Sequence, residues 1–590
     1  MKEPATTDCL IIGYNDYDFG AYAEMVAAMG PDHGAYRDLR LAFVEHRGKK
    51  YRALDLLSHI HFEGRKGTHG FHNADFLWPV VLYLKTYLER RGLTCDYVNL
   101  FHLEKEKLED RLLHGDVLTV AVTTTLYVSP QPILEIVSFI RQRKPEVKIV
   151  VGGPYVRNQL TAMDTQSLHW LFDNLGADHY VISEEGEGAL VELLQALKSG
   201  GSLAGVKNLA YRENGGWVVN ELAPEANSLA DNPVDYRLFE RRELGQMISL
   251  RTAKSCPFSC SFCGFPQRAG KYTYLPVPLV EQELDALAEM GVTTLTFLDD
   301  TFNVPKKRFK EILRLMIRKQ YGFHWNSFYR SDHGDEETIE LMAAAGCEGV
   351  FLGVESGSDA MLERMNKTSR RRNYLAAIPR LQGAGISCHA SLIIGFPGET
   401  LETVEESVSL VEETRPDYFR AQLWYADPVT PIWGKRDRYG VTGEAFSWSH
   451  DTMDSETACD LVDALFLSVE GSTWMPQYGF EQWSTFYLQR HGMTREQVRD
   501  FVRLFNGAVK EQLIDPGRRQ ITRELAQNLL HSAQFDRGEK PDLASLQPVE
   551  AAGRRLAESL WPSRPASSDG ERQRGESSTG SPAERSRAEP

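Results

Sequence analysis

The chain has 590 residues, of which 42% are hydrophobic and 25% charged, and its formal net charge is −16. A chain of this length exceeds what one hydrophobic core supports, so several domains are expected. The acidic balance argues against a general affinity for nucleic acid or anionic membrane, because both require basic surface.

Residues 1–214 alternate strand-like and helix-like segments. There is no charged-then-apolar leader, and no apolar run approaches the length of a membrane helix, so we expect a cytoplasmic protein without a membrane partner. The buried strand 8–13 opens the alternation, and further strands are predicted at 118–122, 148–151 and 179–183. This pattern predicts a doubly wound, Rossmann-like α/β domain with ligands at the carboxyl ends of its strands.

A second α/β domain is predicted after a linker. Residues 215–245 show little periodicity and are the predicted linker. In residues 246–434 the alternation resumes, with strand candidates at 247–250, 294–298, 324–328, 349–354, 387–394 and 418–423. These strands predict a partial (β/α)6 TIM barrel with its active site at the carboxyl ends of the strands.

Three cysteines follow the first barrel strand, Cys256, Cys260 and Cys263, in the spacing Cys-x3-Cys-x2-Cys. Cysteine thiolates ligate iron–sulfur clusters, so this loop predicts a [4Fe-4S] cluster with one iron open to another ligand. Structural zinc needs four ligands, and no second Cys-x2-Cys or histidine pair follows. The other five cysteines are scattered singly, which is typical of reduced core thiols rather than a disulfide framework.

The carboxyl-terminal part loses the strand pattern. Residues 435–561 contain helix-like segments with several tryptophans and predict a helical cap over the barrel. Residues 562–590 consist of Ser, Gly, Pro, Arg and Glu with almost no apolar side chains, so we expect a disordered tail.

Several segments, in family order, resemble the radical S-adenosylmethionine (SAM) superfamily. They are the cysteine loop, Leu-Asp-Asp-Thr-Phe at 298–302, Gly-Val-Glu-Ser-Gly-Ser-Asp at 353–359, and Leu-Ile-Ile-Gly-Phe-Pro-Gly-Glu-Thr at 392–400. The resemblance implies that SAM chelates the open iron. It assigns the amino group of SAM to Asp299 or Asp300 and its adenine to Phe262. It assigns the ribose to Glu355 and Ser356, and the nucleoside backbone to Gly395.

The amino-terminal domain resembles the cobalamin-binding domain that precedes such barrels, on segments 122–125, 150–154 and 183–188. None of the histidines has an aspartate two residues before it, so the Asp-x-His-x-x-Gly motif that supplies a lower cobalt ligand is absent. Either cobalamin binds without a protein ligand to cobalt, which we favour, or the cofactor is lost. The resemblance implies that the cobalamin-binding residues are Thr123, Thr124, Thr125, Gly152, Gly153, Glu185, Gly186 and Glu187.

More narrowly, segments 8–15, 34–39 and 263–267 resemble the subfamily of the phosphinothricin P-methyltransferase, which is related to the thiostrepton tryptophan 2-C-methyltransferase. This implies a cobalamin-dependent radical SAM methyltransferase that moves a methyl group from SAM, via methylcobalamin, to a P–H or C–H centre of a small or peptide-linked natural product. P-methylation of a phosphinate is the first expectation. The alternative is non-radical methylation at C2 of tryptophan. The second alternative is a radical SAM enzyme of other outcome, or a cobalamin or cluster sensor.

Such an enzyme also requires substrate contacts and an external electron donor of the flavodoxin or ferredoxin type. Arg330 and Arg420 are candidates for an oxyanion, since arginine forks suit such groups, and Tyr329 is a candidate for an aromatic substrate. In the tryptophan branch a glutamate occupies the open iron. Glu281 or Glu283 is the candidate here, although a carboxylate at a helix start is also favourable for dipole reasons. The methyl acceptor, the route of transfer, its stereochemistry and the oligomeric state stay open.

Overall fold

The computed structural model describes residues 6–63, 70–225, 227–538 and 540–561, so the predicted disordered tail 562–590 lies outside the described residues. The strands of the described residues are β1 Thr7–Tyr14, β2 Phe43–His46, β3 Lys49–Arg52, β4 Cys95–Leu100, β5 Val117–Thr123, β6 Lys148–Gly152, β7 His179–Val181, β8 Leu209–Glu213, β9 Gly216–Val219, β10 Met247–Leu250, β11 Ala253–Lys254, β12 Thr273–Tyr274, β13 Thr294–Phe297, β14 His324–Tyr329, β15 Cys347–Glu355, β16 Ser387–Ile394, β17 Tyr418–Leu423, β18 Thr442–Glu444, β19 Ser447–His450, β20 Met453–Asp454 and β21 Thr473–Trp474.

The α-helices of the same residues are α1 Phe19–Ala27, α2 Gly34–Leu39, α3 Ala53–His61, α4 Pro79–Glu89, α5 Lys105–His114, α6 Gln131–Arg143, α7 Pro154–Ala162, α8 Thr165–Leu175, α9 Glu187–Ser199, α10 Arg241–Leu244, α11 Phe265–Ala269, α12 Val277–Glu289, α13 Lys306–Lys319, α14 Glu336–Ala344, α15 Asp359–Arg364, α16 Arg371–Gly383, α17 Leu401–Thr414, α18 Ser455–Ser468, α19 Ser484–Arg490, α20 Arg495–Ile514, α21 Arg523–Ala533 and α22 Gln547–Leu560. Within these residues, no helix combines the length and apolar character needed to cross a bilayer.

The amino-terminal domain is the predicted doubly wound α/β sheet. Its strand order is β4-β1-β5-β6-β7-β8-β9, with parallel pairing from β4 to β7. Successive side chains of β1 enter different cores, Cys9 and Ile11 on one face and Leu10 and Ile12 on the other. Burial on both faces explains why this strand is a continuous apolar run.

The structure differs from the predicted linker 215–245 at its start. Antiparallel strands β8 and β9 extend the first sheet, so residues 216–219 belong to that domain. The turn between them is Asn214-Gly215, with φ of 49° and 84°. Positive φ at both turn residues is typical of the two-residue hairpin turn that Asn-Gly favours, so this dipeptide is a local signal for the hairpin.

The second sheet is the predicted partial barrel, with parallel strands in the order β10-β13-β14-β15-β16-β17-β21. Its last strand, β21, comes from the segment predicted as a purely helical cap. That segment also contains the antiparallel strands β18, β19 and β20. The cap prediction was therefore incomplete, because strands of two to four residues are too short to show a period.

Candidate functional site

The cysteine loop lies between β11 and α11, and barrel residues hold its backbone in place. The Ser261 N–H donates to the Met365 carbonyl at 2.8 Å, and the Ile432 N–H donates to the Ser261 carbonyl at 2.9 Å. The Asn366 amide donates to the Ser259 carbonyl at 2.8 Å. These three hydrogen bonds tie the backbone of the loop to the surrounding protein.

The three thiols suit a cluster better than a single ion. Burial, together with the nearby thiols Cys260 and Cys256, raises the pKa of the Cys263 thiol to about 11. The three sulfur atoms do not all lie within 4.8 Å of one another. A tetrahedral zinc ion, with Zn–S bonds of about 2.3 Å, would hold its sulfurs about 3.8 Å apart. The spacing therefore does not match a single tetrahedral zinc ion, and three thiols on one loop are the type of donor that iron–sulfur clusters use.

The two aspartates that follow β13 differ in what they contact. Asp299 is 1% exposed and accepts hydrogen bonds from the backbone N–H groups of Thr252 and Ala253 at 2.6 and 2.9 Å. It therefore anchors the strand that leads into the cysteine loop. Asp300 is exposed and has no hydrogen bond to another described residue. Desolvation by the protein around it and the charge of Asp299 raise the pKa of Asp300 to about 7.

The end of β15 carries two buried side chains that are already bonded to other residues. Glu355, in the left-handed region with φ of 65°, is bonded to Lys367 at 2.9 Å. The same lysine lies 5.9 Å from the centre of the Phe262 ring, so it joins this strand end to the cysteine loop. Ser356 is fully buried, and its hydroxyl group contacts the Ser407 hydroxyl at 3.2 Å. In this conformation the Ser356 hydroxyl is not open to a ribose.

Gly395, at the end of β16, supports tight packing against the cap. Its φ of 87° favours glycine, and a Cβ there would overlap the Trp448 ring. Its carbonyl accepts a hydrogen bond from His450 Nε2 at 3.1 Å, and its N–H donates to Glu399. The predicted nucleoside contact is therefore also a contact between barrel and cap.

Most of the predicted cobalamin residues line one cavity of about 350 Å³ between the two sheets. One wall is formed by the strand ends of the amino-terminal domain, with Thr123, Thr125, Gly152, Gly153, Glu185, Gly186 and Glu187. The opposite wall comes from the cysteine loop and its flanks, with Arg251, Lys254, Ser255, Phe265, Arg268 and Ala269. The cavity thus joins the two predicted cofactor faces.

Thr124 lies behind this wall instead. It is fully buried, and its hydroxyl donates to the Gly152 carbonyl at 3.0 Å and accepts from the Tyr155 N–H at 3.2 Å. A Cβ on Gly153, whose φ is 111°, would stand 3.0 Å from this hydroxyl. Thr124 therefore shapes the loop that the glycines form.

The cavity has an apolar floor and a charged rim, a combination that suits a large cofactor with polar side groups. Ala121, Val150, Val181 and Leu190 form part of the floor. Burial raises the pKa of Glu187 to about 7. The lining contains no histidine, so among the described residues this cavity offers no imidazole ligand to cobalt. This agrees with the missing Asp-x-His-x-x-Gly motif.

Sequence reasoning missed the basic residues of the opposite wall. Lys254 forms an ion pair with Glu185 across the cavity, and Arg268 forms one with Asp427 at 2.6 Å. Arg251 lies 5.7 Å from the ring centre of Tyr83, another lining residue. The cluster of basic residues directly before and after the cysteines was the available signal.

A group of possible metal ligands lies outside this cavity, beyond the ends of β1 and β4, where two histidines are close to Asp16. The ligand atoms of Asp16, His72 and His102 lie within 4.8 Å of one another. The Asp16 carboxylate is already held by the Arg52 guanidinium, at 3.0 and 2.7 Å, and by His72 at 2.9 Å. These contacts satisfy the carboxylate without a metal ion.

The structure separates the candidate substrate residues. Tyr329 is buried in the hydrophobic core. Arg330 stacks on Phe258 at 3.7 Å and is bonded to Asp332 and Thr368. Arg420, by contrast, has no hydrogen bond or ion pair among the described residues, and its Nε atom is buried without a partner.

Both glutamate candidates for a fourth cluster ligand lie on α12. Glu281 forms an ion pair with Lys319 at 2.8 Å, in the helical layer between α12 and α13, and its assignment as a fourth cluster ligand stays a prediction. Glu283 is 6% exposed, and burial raises its pKa to about 7. Its Oε2 atom has no partner among the described residues.

Comparison with known proteins agrees with this architecture. Residues 250–411 match the radical SAM superfamily. An uncharacterized methyltransferase of Pyrococcus horikoshii is 28% identical over 54% of this chain and 68% of its own length. An anaerobic magnesium-protoporphyrin IX monomethyl ester cyclase of Cereibacter sphaeroides is 26% identical over 62% of this chain and 61% of its own length.

The radical SAM methyltransferase TsrM of Kitasatospora setae, solved with cobalamin and a [4Fe-4S] cluster, has a similar fold. Its TM-score is 0.52 at 20% sequence identity, over 82% of this chain and 97% of TsrM. This similarity confirms the predicted fold of an α/β domain joined to a partial barrel and a cap.

Proposed function

We propose that the protein is a cobalamin-dependent radical SAM methyltransferase that acts on a natural-product intermediate. The observation that carries this proposal is a cavity lined on one side by the glycine-rich strand ends and on the other by residues that flank the three cysteines, Lys254, Ser255 and Phe265. The match of residues 250–411 to the radical SAM superfamily and the similarity to methyltransferases support the same class.

We assign the cluster and SAM to one face of the site and cobalamin to the opposite face. Cys256, Cys260 and Cys263 hold the cluster, and Asp300 is the free carboxylate for the ammonium group of SAM. Glu355, oriented by Lys367, faces the ribose, and Phe262 lies near the adenine. The second face consists of the glycine turns at 152–153 and 186, which admit cobalamin close to the backbone. When bound, the cluster and SAM supply one-electron chemistry, and cobalamin supplies a methyl carrier.

P-methylation of a phosphinate is our first candidate reaction, because the barrel contains an unpaired arginine suited to an oxyanion. Methylation of tryptophan at C2 is the second candidate. It is favoured by the fold shared with TsrM, which was also solved with tryptophan and a SAM analogue at a TM-score of 0.51.

Anaerobic reconstitution of the full chain with iron, sulfide, cobalamin and SAM tests the proposal. Mass spectrometry should detect S-adenosylhomocysteine and a methylated product with one member of a panel of phosphinates and indoles. The additional appearance of 5′-deoxyadenosine supports a radical route, and its absence supports a non-radical route. A chain that binds neither iron–sulfur cluster nor corrin would contradict the proposed class.

Replacing Cys260 by Ala should abolish product formation, because two thiolates cannot hold the cluster with an open iron in its proper place. The measurements are the iron and sulfide content and the yield of methylated product. Cys95→Ala is the matched control, since Cys95 lies on β4, far along the chain from the cysteine loop. Normal methylation by Cys260→Ala would exclude the cluster assignment.

A further inference from the structure

Some side chains of the partial barrel that point inward below the strand ends are only partly buried. Trp325 packs against Phe309 of the outer helix α13 and therefore points outward. Phe419 also points outward, because it packs against Trp474, which in turn contacts Phe466 of α18. Since side chains alternate along a strand, Phe328, three residues after Trp325, and Arg420, directly after Phe419, point into the barrel. Both are only partly buried although they lie within a sheet.

The Arg420 side chain forms no hydrogen bond or ion pair with another described residue. Its guanidinium group lies 5.1 Å from the ring centre of Phe351, and Phe351 meets Phe328 at 5.3 Å. The charge of Arg420 acts on the buried carboxyl group of Asp38 on α2, yet the two side chains form no ion pair within 4.0 Å. Tyr478 instead donates a hydrogen bond to Asp38 at 3.1 Å. The Nε atom of Arg420 is buried without a partner, and an unpaired polar atom in such a position is costly unless a ligand or water supplies one.

Unpartnered polar atoms adjoin this arginine deeper in the barrel. His389 is 3% exposed, and neither of its ring nitrogens has a partner among the described residues. Burial, together with the charges of Arg420 and Arg495, lowers the pKa of His389 to about 3, so the ring is neutral at pH 7. Asn326, which faces the interior, has an Oδ1 atom without a partner among the same residues. Such groups in a native interior indicate a missing ligand or water.

The position of Arg420 fits a substrate rather than a cofactor. Ser391 pairs with both Arg420 and Gly353, two residues before Glu355. Two residues of a parallel strand rise about 7 Å, so Arg420 lies one layer below the strand end proposed to hold SAM.

We propose that the barrel interior binds the methyl acceptor through a small oxyanion, a carboxylate or a phosphinate, held by Arg420, with the apolar part of the molecule against Phe328 and Phe351. This inference rests on the proposed function, in that the bound molecule is the substrate of the same site. It restricts the substrate class to acceptors that carry an exposed acidic group.

Titration calorimetry on the full, cluster- and cobalamin-loaded chain with SAM tests the inference. The probes are phenylphosphinate, tryptophan, and tryptophanamide, which lacks the carboxylate. At least one of the two oxyanions should bind, and Arg420→Gln should weaken that binding about tenfold or more. The affinity of Arg420→Lys should lie between those of wild type and Arg420→Gln, because lysine keeps the positive charge but loses the forked pair of N–H donors. Which oxyanion binds distinguishes a phosphinate acceptor from a carboxylate acceptor.

Arg318→Gln is the matched control, because Arg318 is exposed on α13. Unchanged cluster absorbance and thermal transition show that the Arg420 variants are folded. Failure of both oxyanions to bind the wild-type chain, or equal binding by Arg420→Gln, would overturn the inference. Corrin uptake and S-adenosylhomocysteine formation are measured on the same preparation. If the chain takes up no corrin and forms no S-adenosylhomocysteine, the methyltransferase proposal is contradicted. The dependence of oxyanion binding on Arg420 is still decided by the calorimetry.

Discussion

The buried carboxyl group of Glu399 lies beneath the strand end that carries Gly395. Its Oε2 atom accepts the Gly395 N–H, and its Oε1 atom has no partner among the described residues. Burial raises the pKa of Glu399 from 4.5 to about 8. At pH 7 the folded chain therefore holds a proton at this position that the unfolded chain has released.

Glu399→Gln should flatten the pH dependence of stability. Between pH 4.5 and 8 the folded state binds the extra proton, so the wild-type free energy of unfolding falls as pH rises through this range. Glutamine cannot ionise, so the thermal transition of the variant should fall less between pH 6 and 8. Circular dichroism melts at stepped pH measure this difference. Glu402→Gln, exposed on α17, should behave like wild type. Equal slopes for Glu399→Gln and wild type would show that Glu399 is already ionised.

Local motifs predicted which strand ends carry acidic and hydroxyl groups, but not which of these groups are free. Asp299 and Asp300 are neighbours in one motif, and Asp299 is committed to Thr252, 47 residues away. Ser356 is likewise committed to Ser407, 51 residues away. Whether a side chain is available depends on partners that distant segments supply, and one sequence does not reveal those pairings.

At the scale of elements, the barrel and the cap meet where β19 packs over the end of β16. The Trp448 ring covers Gly395, stacks on His450 at 5.3 Å, and donates its indole N–H to the Trp424 carbonyl at 2.8 Å. This contact joins a glycine of the predicted SAM motif to a small sheet that the sequence pattern did not predict.

Gly395→Ala should destabilise the fold by about 2–4 kcal/mol, through the overlap with Trp448 and the positive φ. Chemical denaturation monitored by tryptophan fluorescence measures the loss. Gly434→Ala is the matched control, because a Cβ there has no neighbour within 4 Å, and it should be nearly neutral. In a Trp448→Ala background the additional cost of Gly395→Ala should be smaller, since the overlap is removed and only the backbone strain stays. A loss as small as that of Gly434→Ala would contradict the packing argument.

Elements differed in how far the sequence could predict them. The long strands β1, β5 and β16 were expected within a residue or two, because segments of five to eight residues that are rich in apolar side chains are distinctive. The hairpin β8–β9 carried an Asn-Gly signal that could have been used. The two-residue strand β21 had no pattern of its own, since its place is set by pairing with Tyr418 and Phe419.

At the scale of the whole molecule, the proposed site exists only because two sheets face each other across one cavity. Lys254 of β11 and Glu185, which follows β7, form an ion pair between these walls, with side chains that are 21% and 19% exposed. The pair thus helps to set how the cluster loop faces the glycine turns. Because both charges are partly buried, removing either one leaves the other without a partner in a partly desolvated position.

Lys254→Gln or Glu185→Gln should therefore lower cobalamin retention about three- to tenfold, because each variant leaves one partly buried charge unpaired and loosens the wall spacing. The corrin absorbance that is retained per chain after desalting measures the effect, and the iron content checks the cluster. The reversed pair, Glu185→Lys with Lys254→Glu, should recover part of the retention. Lys207→Gln is the control, since its pair with Glu221 is 57% and 72% exposed and should matter little. Full retention in both single variants would mean that the walls are positioned without this ion pair, and that the packing of each domain alone sets the width of the cavity.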